Sequence, residues 1–504
     1  MRSPLLSQIE GVLAHPPRSI DDLGAGASAT THELVAGAFE DAVEYRRIFG
    51  DLSGQAVLLA VTPGHGWIRA FFAVLFAGAA AAPIPLGAPA AEVAHVASVV
   101  VPRFAIAESA FVGSLPEKLE VVAPRRAIGA SDSHAIASQV AMLDCPAERA
   151  ALILFTSGTT GKPKGAPLSH ANLAAQVDAL REAWGTRHDD VLLHALPMHH
   201  LHGIVVAFLH HFLTPTAIRM LPRFEATRVT EELGRATVWM GVPTFYQRLV
   251  DLADAMEPTK RRALESAARG LRLATSGSAA LPAVLAERWR TLAGAIPLER
   301  YGMTEIGMAL SNPLDSTARR RGFVGRPLPS VRVRIVDDAG RDSDGPGEVW
   351  VRGPSVFAGY IGRDPAEDRD GEWFKTGDVA SRDPDGAIRL LGRKSSDILK
   401  TGGEKVSALE IEEVLREHPA VGEVAVVGVP DAEWGDRVVG FVVGIGDAPI
   451  DPDEIRAFAK SRLAPFKVPK QIRPIDALPR NAMGKVQKGR LVELLGTAEN
   501  SRIR

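Results

Sequence analysis

From about residue 55 onward, short aliphatic runs alternate with amphipathic stretches, and this alternation limits the fold more than any other feature of the chain. Residues 56–61 read Ala-Val-Leu-Leu-Ala-Val, too short for a helix and apolar on both faces, which describes a strand covered on both sides. Residues 67–80 follow with an amphipathic pattern, and the same rhythm recurs at 171–184 (helix), 191–196 (strand), 203–212 (helix) and 217–221 (strand). Strand, crossover and strand in that order build right-handed βαβ units, hence a parallel sheet with helices on both faces. After Gly322 the texture changes. Residues 331–336 and 347–352 alternate apolar with charged or polar side chains between Asp/Gly turns, as a β-rich lobe would. The polar segment 392–397 then separates a remainder of about the smallest independent size. The expected architecture is α/β. A large N-terminal domain (1–393) of parallel and mixed sheets flanked by helices carries a β-rich lobe, and a small, mobile α+β domain (394–504) follows.

At 504 residues the chain exceeds a single core. Its 58 Lys and Arg against 60 Asp and Glu leave a net charge of -2, so no global field favours nucleic acid or an anionic membrane. The most apolar stretch, 71–86, is broken by Pro83 and Pro85 and is too short for a membrane span; it reads as a buried helix running into a strand. The N-terminus turns polar by Gln8 and Glu10, unlike a signal peptide, and the single Cys145 suits a reducing cytosol. A cytoplasmic enzyme is expected.

The run Thr156-Ser157-Gly158-Thr159-Thr160-Gly161-Lys162-Pro163-Lys164-Gly165 follows an apolar strand, and nearly every side chain in it is absent, hydroxylated or cationic. Such a loop offers backbone N–H groups and ammonium charge to phosphate. It fails the spacing of the P-loop NTPases, because only two residues separate Gly158 from Gly161-Lys162 and Pro163 stands where a magnesium-binding hydroxyl belongs. Further along, Arg300-Tyr301-Gly302-Met303-Thr304-Glu305 sets a hydroxyl beside a carboxylate at the end of a strand. One carboxylate suffices for magnesium where phosphate oxygens supply the remaining ligands. Lys375-Thr376-Gly377-Asp378 places a second carboxylate at an expected tight turn, suited to a ribose diol, with Arg393 on the next strand. Near the end, 479–486 presents Lys485 just after a glycine on an expected exposed turn.

Taken in order, SGTTGKPKG, SGSAALP, YGMTE, KTGD, GRK and PRNAMGK resemble the AMP-forming acyl-activating superfamily of acyl-CoA synthetases, luciferases and adenylation domains. The resemblance implies ATP, Mg2+ and coenzyme A as reactants or cofactors. It implies that Thr156 to Gly165 grips the β- and γ-phosphates, that Gly277-Ser278-Ala279 with Tyr301 frames the adenine, and that Gly302 and Met303 lie beside the nucleotide. Thr304 would face the α-phosphate, Glu305 the metal, and Asp378 with Arg393 the ribose, while Lys485 would reach the carboxylate and α-phosphate during adenylation. The C-terminal domain would swing between two half-reactions about Ser395 or Ser396, bringing Gly402-Gly403 to CoA. A carrier-protein attachment motif is not visible, so any acyl carrier would be another protein.

The strings at 197–203 and 242–248, with 299–305, are similar to the malonyl-CoA synthetase branch, including members that also take methylmalonate. So is the hinge, one residue longer than usual, with Ser395 where many relatives have Asp or Lys. A dicarboxylate leaves a second carboxylate inside the pocket, which must meet a cation, ideally a guanidinium. Arg248 is the first candidate and Arg223 the second; Arg248 can equally be a surface charge on the helix beginning at Pro243. His202 reads as a packed or gating imidazole, and Met303 as a wall of the acid pocket. The alternatives are a short- or medium-chain monocarboxylate ligase, and a nucleotide-binding regulatory homologue or acyl donor to a carrier protein.

Overall fold

The structure, a computed structural model, describes residues 2–125, 133–156, 163–431, 433–446, 450–480 and 486–500. The expected α/β architecture is present, and two sheets carry it. In the six-stranded sheet, Ala56–Ala60 and Ala80–Pro83 lie parallel and central, and Ala150–Thr156 turns back antiparallel into Lys164–Ser169 at the edge. The nine-stranded sheet runs parallel through Ala217–Met220, Val191–His194, Val238–Gly241, Leu273–Ser276 and Leu298–Met303, then ends in the antiparallel strand Gly307–Ser311 and a short edge.

The helix His65–Phe76 is buried along its whole length, as is the π-helical turn His202–Leu209. Their aromatic rings interlock, with Phe72 6.1 Å from Phe208 and Trp67 edge-on to Phe208 at 5.8 Å. One hydrophobic core joins these helices to inward residues of both sheets. A helix apolar all round needs such double cover. Its one charge, Arg69, is neutralised by Asp41 at 2.9 Å.

The β-rich lobe pairs Arg332–Val336, Gly347–Arg352, Trp373–Arg382 and Ile388–Arg393 in antiparallel order. After a turn at 394–397 a separate sheet forms from Ile398–Thr401, Glu404–Ser407, Val421–Asp431, Gly435–Gly444 and Gln471–Pro474, with cores of its own. One local expectation is corrected: Asp378 lies within the ten-residue strand Trp373–Arg382, and only Gly377 beside it has the positive φ of a kink, at 73°. Before residue 55, where no pattern stood out, the chain adds the helices Pro4–Ala14 and Thr31–Phe49 and a hairpin at the edge of the large sheet. Thr30 and Glu33 close the second helix with a capping box.

Candidate active site

The strand ends converge where the motifs were expected to meet. Leu298–Met303 carries Tyr301, whose hydroxyl donates to Asp378 Oδ2 at 2.6 Å. Asp378 faces Arg393 across the antiparallel pair, and the Arg393 Nε stands 3.2 Å from Asp378 Oδ1. Arg393 is itself fixed by the Thr376 carbonyl, and the absent side chain at Gly377 leaves room, since a Cβ there would stand 3.1 Å from its Nη1. Burial and then the Asp378 charge push the Tyr301 phenol well above its ordinary value, which keeps it a donor. The result is a rigid carboxylate aimed by two partners, suited to accepting from a diol.

Glu305 is buried just beyond the same strand and accepts from the Tyr360 hydroxyl at 2.5 Å. The Tyr360 ring lies under Lys164, whose Nζ is 4.8 Å from its centroid. Burial, followed by Glu305, raises the Tyr360 phenol too. Lys164 opens the strand Lys164–Ser169 and pairs with Thr156, while Ile361 N donates to the Gly165 carbonyl at 2.9 Å. The strands on either side of the expected phosphate loop pair antiparallel, whereas a P-loop runs from a strand into a helix. Ser157, Gly158, Thr159, Thr160, Gly161 and Lys162 lie outside the described residues, as does Lys485. Among the described residues no three His, Cys, Asp or Glu side chains gather as a metal site. The Glu305 carboxylate fits a hard divalent cation that takes its other ligands from nucleotide phosphates.

The third component is Arg300. Its side chain is only 4% exposed, and its Nε and Nη2 have no hydrogen-bond partner among the described residues. Glu299, its neighbour, is buried as well, but successive strand residues face opposite sides, so the two cannot pair. Glu299 instead accepts from Gly322 N at 3.3 Å, and its burial pushes it up to about 7. Desolvation pulls Arg300 down to about 10. His202, wholly enclosed, is lowered by desolvation first and by the charge of Arg300 next, and neither of its ring nitrogens has a partner among the described residues. The hydroxyls of Thr275 and Ser276, on the adjacent strand Leu273–Ser276, are equally unmatched. The Arg300 guanidinium sits beneath the expected adenine segment: a Cβ on Gly277 would fall 2.3 Å from its Nη1, so only glycine lets the chain pass over it, and Thr275 shares its face of the sheet whereas Ser276 lies on that of Glu299. Gly277 is buried, whereas Ser278, at φ 68°, and Ala279 are exposed.

The two arginines expected for the acid pocket are both exposed. Arg223 is 78% exposed and bound to Glu225 at 2.6 Å. Arg248 is exposed on the helix Pro243–Asp254, the surface-charge arrangement. Arg300 does not stand out in the sequence because it adjoins the YGMTE string. The signal lay in a charged pair, Glu299-Arg300, set inside an otherwise apolar strand. Met303 and Thr304 are half-buried at the strand end, with Gly302 beside them. Ser395 and Ser396 are exposed in the turn after Arg393, and Gly402 and Gly403, both at positive φ, make the turn between Ile398–Thr401 and Glu404–Ser407.

This assembly of Glu305 beyond a strand end, Asp378 within a sheet and a buried Arg300 belongs to a recognisable class. The chain is a member of the AMP-binding enzyme family, which it matches over residues 48–361, and residues 410–485 match the AMP-binding enzyme C-terminal domain. It is 38% identical over 490 residues to the mitochondrial malonate–CoA ligase of Homo sapiens, covering 88% of this chain and 83% of that protein. ATP-bound MatB from Rhodopseudomonas palustris superposes with a TM-score of 0.87 at 34% identity, covering 98% of this chain and 99% of that one. A malonyl-CoA ligase in ternary complex with methylmalonyl-CoA and AMP gives 0.67 at 38% identity, covering 95% and 100%. No helix among the described residues is long and apolar enough to cross a membrane.

Proposed function

We propose that this protein is an AMP-forming acid:CoA ligase whose acid is malonate, with methylmalonate as a close second. In the first step one malonate carboxylate attacks the α-phosphorus of ATP, forming malonyl-AMP and releasing pyrophosphate. In the second the CoA thiol attacks the acyl carbon, forming malonyl-CoA and releasing AMP. Both reacting partners of the first step are anions, so positioning and charge neutralisation carry the catalysis. Asp378 and Arg393 would orient the ribose, Thr304 and Lys485 the α-phosphate, and Lys164 with the 157–162 loop the departing pyrophosphate. Glu305 would hold Mg2+, which when bound neutralises phosphate charge.

The observation that carries the choice of acid is Arg300, with Nε and Nη2 unpartnered among the described residues, together with the unmatched ring nitrogens of His202 and the unmatched hydroxyl of Thr275 on the same face of the sheet. An unreacted carboxylate satisfies that set, whereas the methyl end of a monocarboxylate leaves it unsatisfied at about 1–3 kcal/mol per group. The likeness to a malonate–CoA ligase and to a malonyl-CoA ligase bound to methylmalonyl-CoA supports the same reading. Cytoplasmic placement is part of the proposal, resting on the lone buried Cys145. Acid-dependent pyrophosphate release and mass spectrometry of the thioester, run on malonate, methylmalonate, acetate, butyrate and octanoate, test it. Turnover with butyrate or octanoate and silence with malonate would overturn the assignment.

A further inference from the structure

One buried ion cluster ties the hinge to the C-terminal domain, and the reactions assigned above leave it unused. Asp397 closes the turn at 393–397 twice over: its backbone N donates to the Arg393 carbonyl at 2.8 Å, and its Oδ2 accepts from Arg393 N at 2.9 Å. Its other oxygen, Oδ1, takes the Lys488 ammonium at 2.5 Å. Lys488 also binds Glu412 Oε1 at 2.7 Å, on the helix Ala408–Arg416. Side-chain exposures of 15% for Lys488, 13% for Asp397 and 5% for Glu412 put the cluster in the interior, where one ammonium holds two carboxylates together. Arg416 adds a second cation at 3.1 Å from Glu412. The Asp397 carbonyl accepts from Ala408 N, so the same residue also starts that helix.

The contacts form one line from Asp378, the proposed ribose carboxylate, to the C-terminal helix that begins at Lys488. Tyr301 and Arg393 hold Asp378, the Arg393 backbone is held by Asp397, and Asp397 is held by Lys488. In sequence Lys488 lies three residues after Lys485. A rotation about Ser395 or Ser396 changes the 393–397 turn, so it cannot preserve the Arg393–Asp397 bonds, whereas the Lys488–Asp397 bond moves with the lid. The present arrangement superposes better on the ATP-bound relative than on the product complex, although the latter is the more identical in sequence.

We propose that Asp397 and Lys488 are positioning residues: Lys488 orients the Asp397 carboxylate to keep the hinge turn closed, and this clasp sets the domain orientation used for adenylation. Its release precedes thioester formation. The inference rests on the two-step ligase reading above. Without the ammonium, Glu412 keeps Arg416 but Asp397 has no cation among the described residues, and a buried carboxylate left uncompensated beside Glu412 is driven from the turn.

The test measures the half-reactions separately in Lys488→Met, Lys488→Arg and Asp397→Asn. Lys488→Met and Asp397→Asn are expected to slow malonate-dependent ATP–pyrophosphate exchange by roughly 30-fold, while CoA-dependent consumption of pre-formed malonyl-AMP changes by less than about threefold. Lys488→Arg, which keeps the charge, recovers most of the exchange. A merely structural role lowers both half-reactions by one factor; that result, a loss confined to thioester formation, or failure of the arginine variant to rescue would each overturn the proposal. Wild-type silence with every acid would instead remove the ligase reading. The clasp is then judged by tryptic cleavage after Lys394 at a temperature where both proteins are folded: faster cutting of Lys488→Met sustains it, and equal rates overturn it.

Discussion

Replacing Arg300 by Met tests the acid assignment through two effects of opposite sign. The guanidinium is buried without a counter-charge among the described residues, and burial holds it down at about 10, a cost on the order of 3 kcal/mol at ~1.4 kcal/mol per pH unit. The depressed value means that the penalty is fully present at all pH values below about 10 and is relieved only above it. Met fills a similar volume without the charge, so the free protein gains up to about 3 kcal/mol and melts at a higher temperature. The liganded protein moves the other way. A malonate carboxylate delivered to that position loses its partner, which costs about 2–5 kcal/mol, or roughly 30- to 4,000-fold in kcat/KM. Butyrate brings no charge there, and its kcat/KM is unchanged or rises. Steady-state pyrophosphate release with both acids and thermal melts with and without malonate measure all four quantities. Equal losses for malonate and butyrate, or a fall in melting temperature, would refute the reasoning.

Two other perturbations follow from the same geometry. Asp378→Asn removes the acceptor that Tyr301 and Arg393 aim at the ribose, and a charged hydrogen bond of about 1.5–3 kcal/mol converts to an ATP KM raised roughly 10- to 150-fold; initial-rate titration of ATP checks this, and an unchanged KM counts against the ribose role. Glu299 is raised to about 7, so it stabilises the fold relative to its ionised form at low pH, and that contribution is lost as pH climbs from about 5 through about 7. Glu299→Gln keeps the acceptor for Gly322 N and lacks the charge, so urea midpoints of the variant fall less over this interval; parallel curves for the two proteins would show that Glu299 does not titrate there.

Much of the frame was readable because periodicity reports burial. The all-apolar run at 56–61 could only be a strand covered on both faces, and Ala56–Ala60 is central in the six-stranded sheet. The alternating run at 347–352 could only be a strand with one wet face, and Gly347–Arg352 is that. The site was readable only where chemistry repeats as a string. YGMTE marked the end of a strand, and Leu298–Met303 stops there with Glu305 just beyond. Asp378 was misplaced onto a turn because Thr-Gly-Asp has turn composition, whereas pairing with Gly347–Arg352 on one side and Ile388–Arg393 on the other keeps it in the sheet. Residues 4–49 carry no such string, and their helices follow from packing onto the large sheet.

The sequence by itself determined the reaction class, because phosphate, metal and ribose are each held by groups whose identity and order survive as text. It also determined the layering of the large domain, since strand and helix periods differ and only one arrangement buries both. The tertiary structure decided which arginine is buried without a counter-charge among the described residues. Arg223, Arg248 and Arg300 are the same residue type, and only the fold spends one on Glu225, leaves one in solvent and buries the third beneath Gly277. It also decided that Lys488, an unremarked lysine near the end of the chain, meets Asp397 from 91 residues away. Such pairings depend on distances across the folded chain, and a linear pattern carries no record of them.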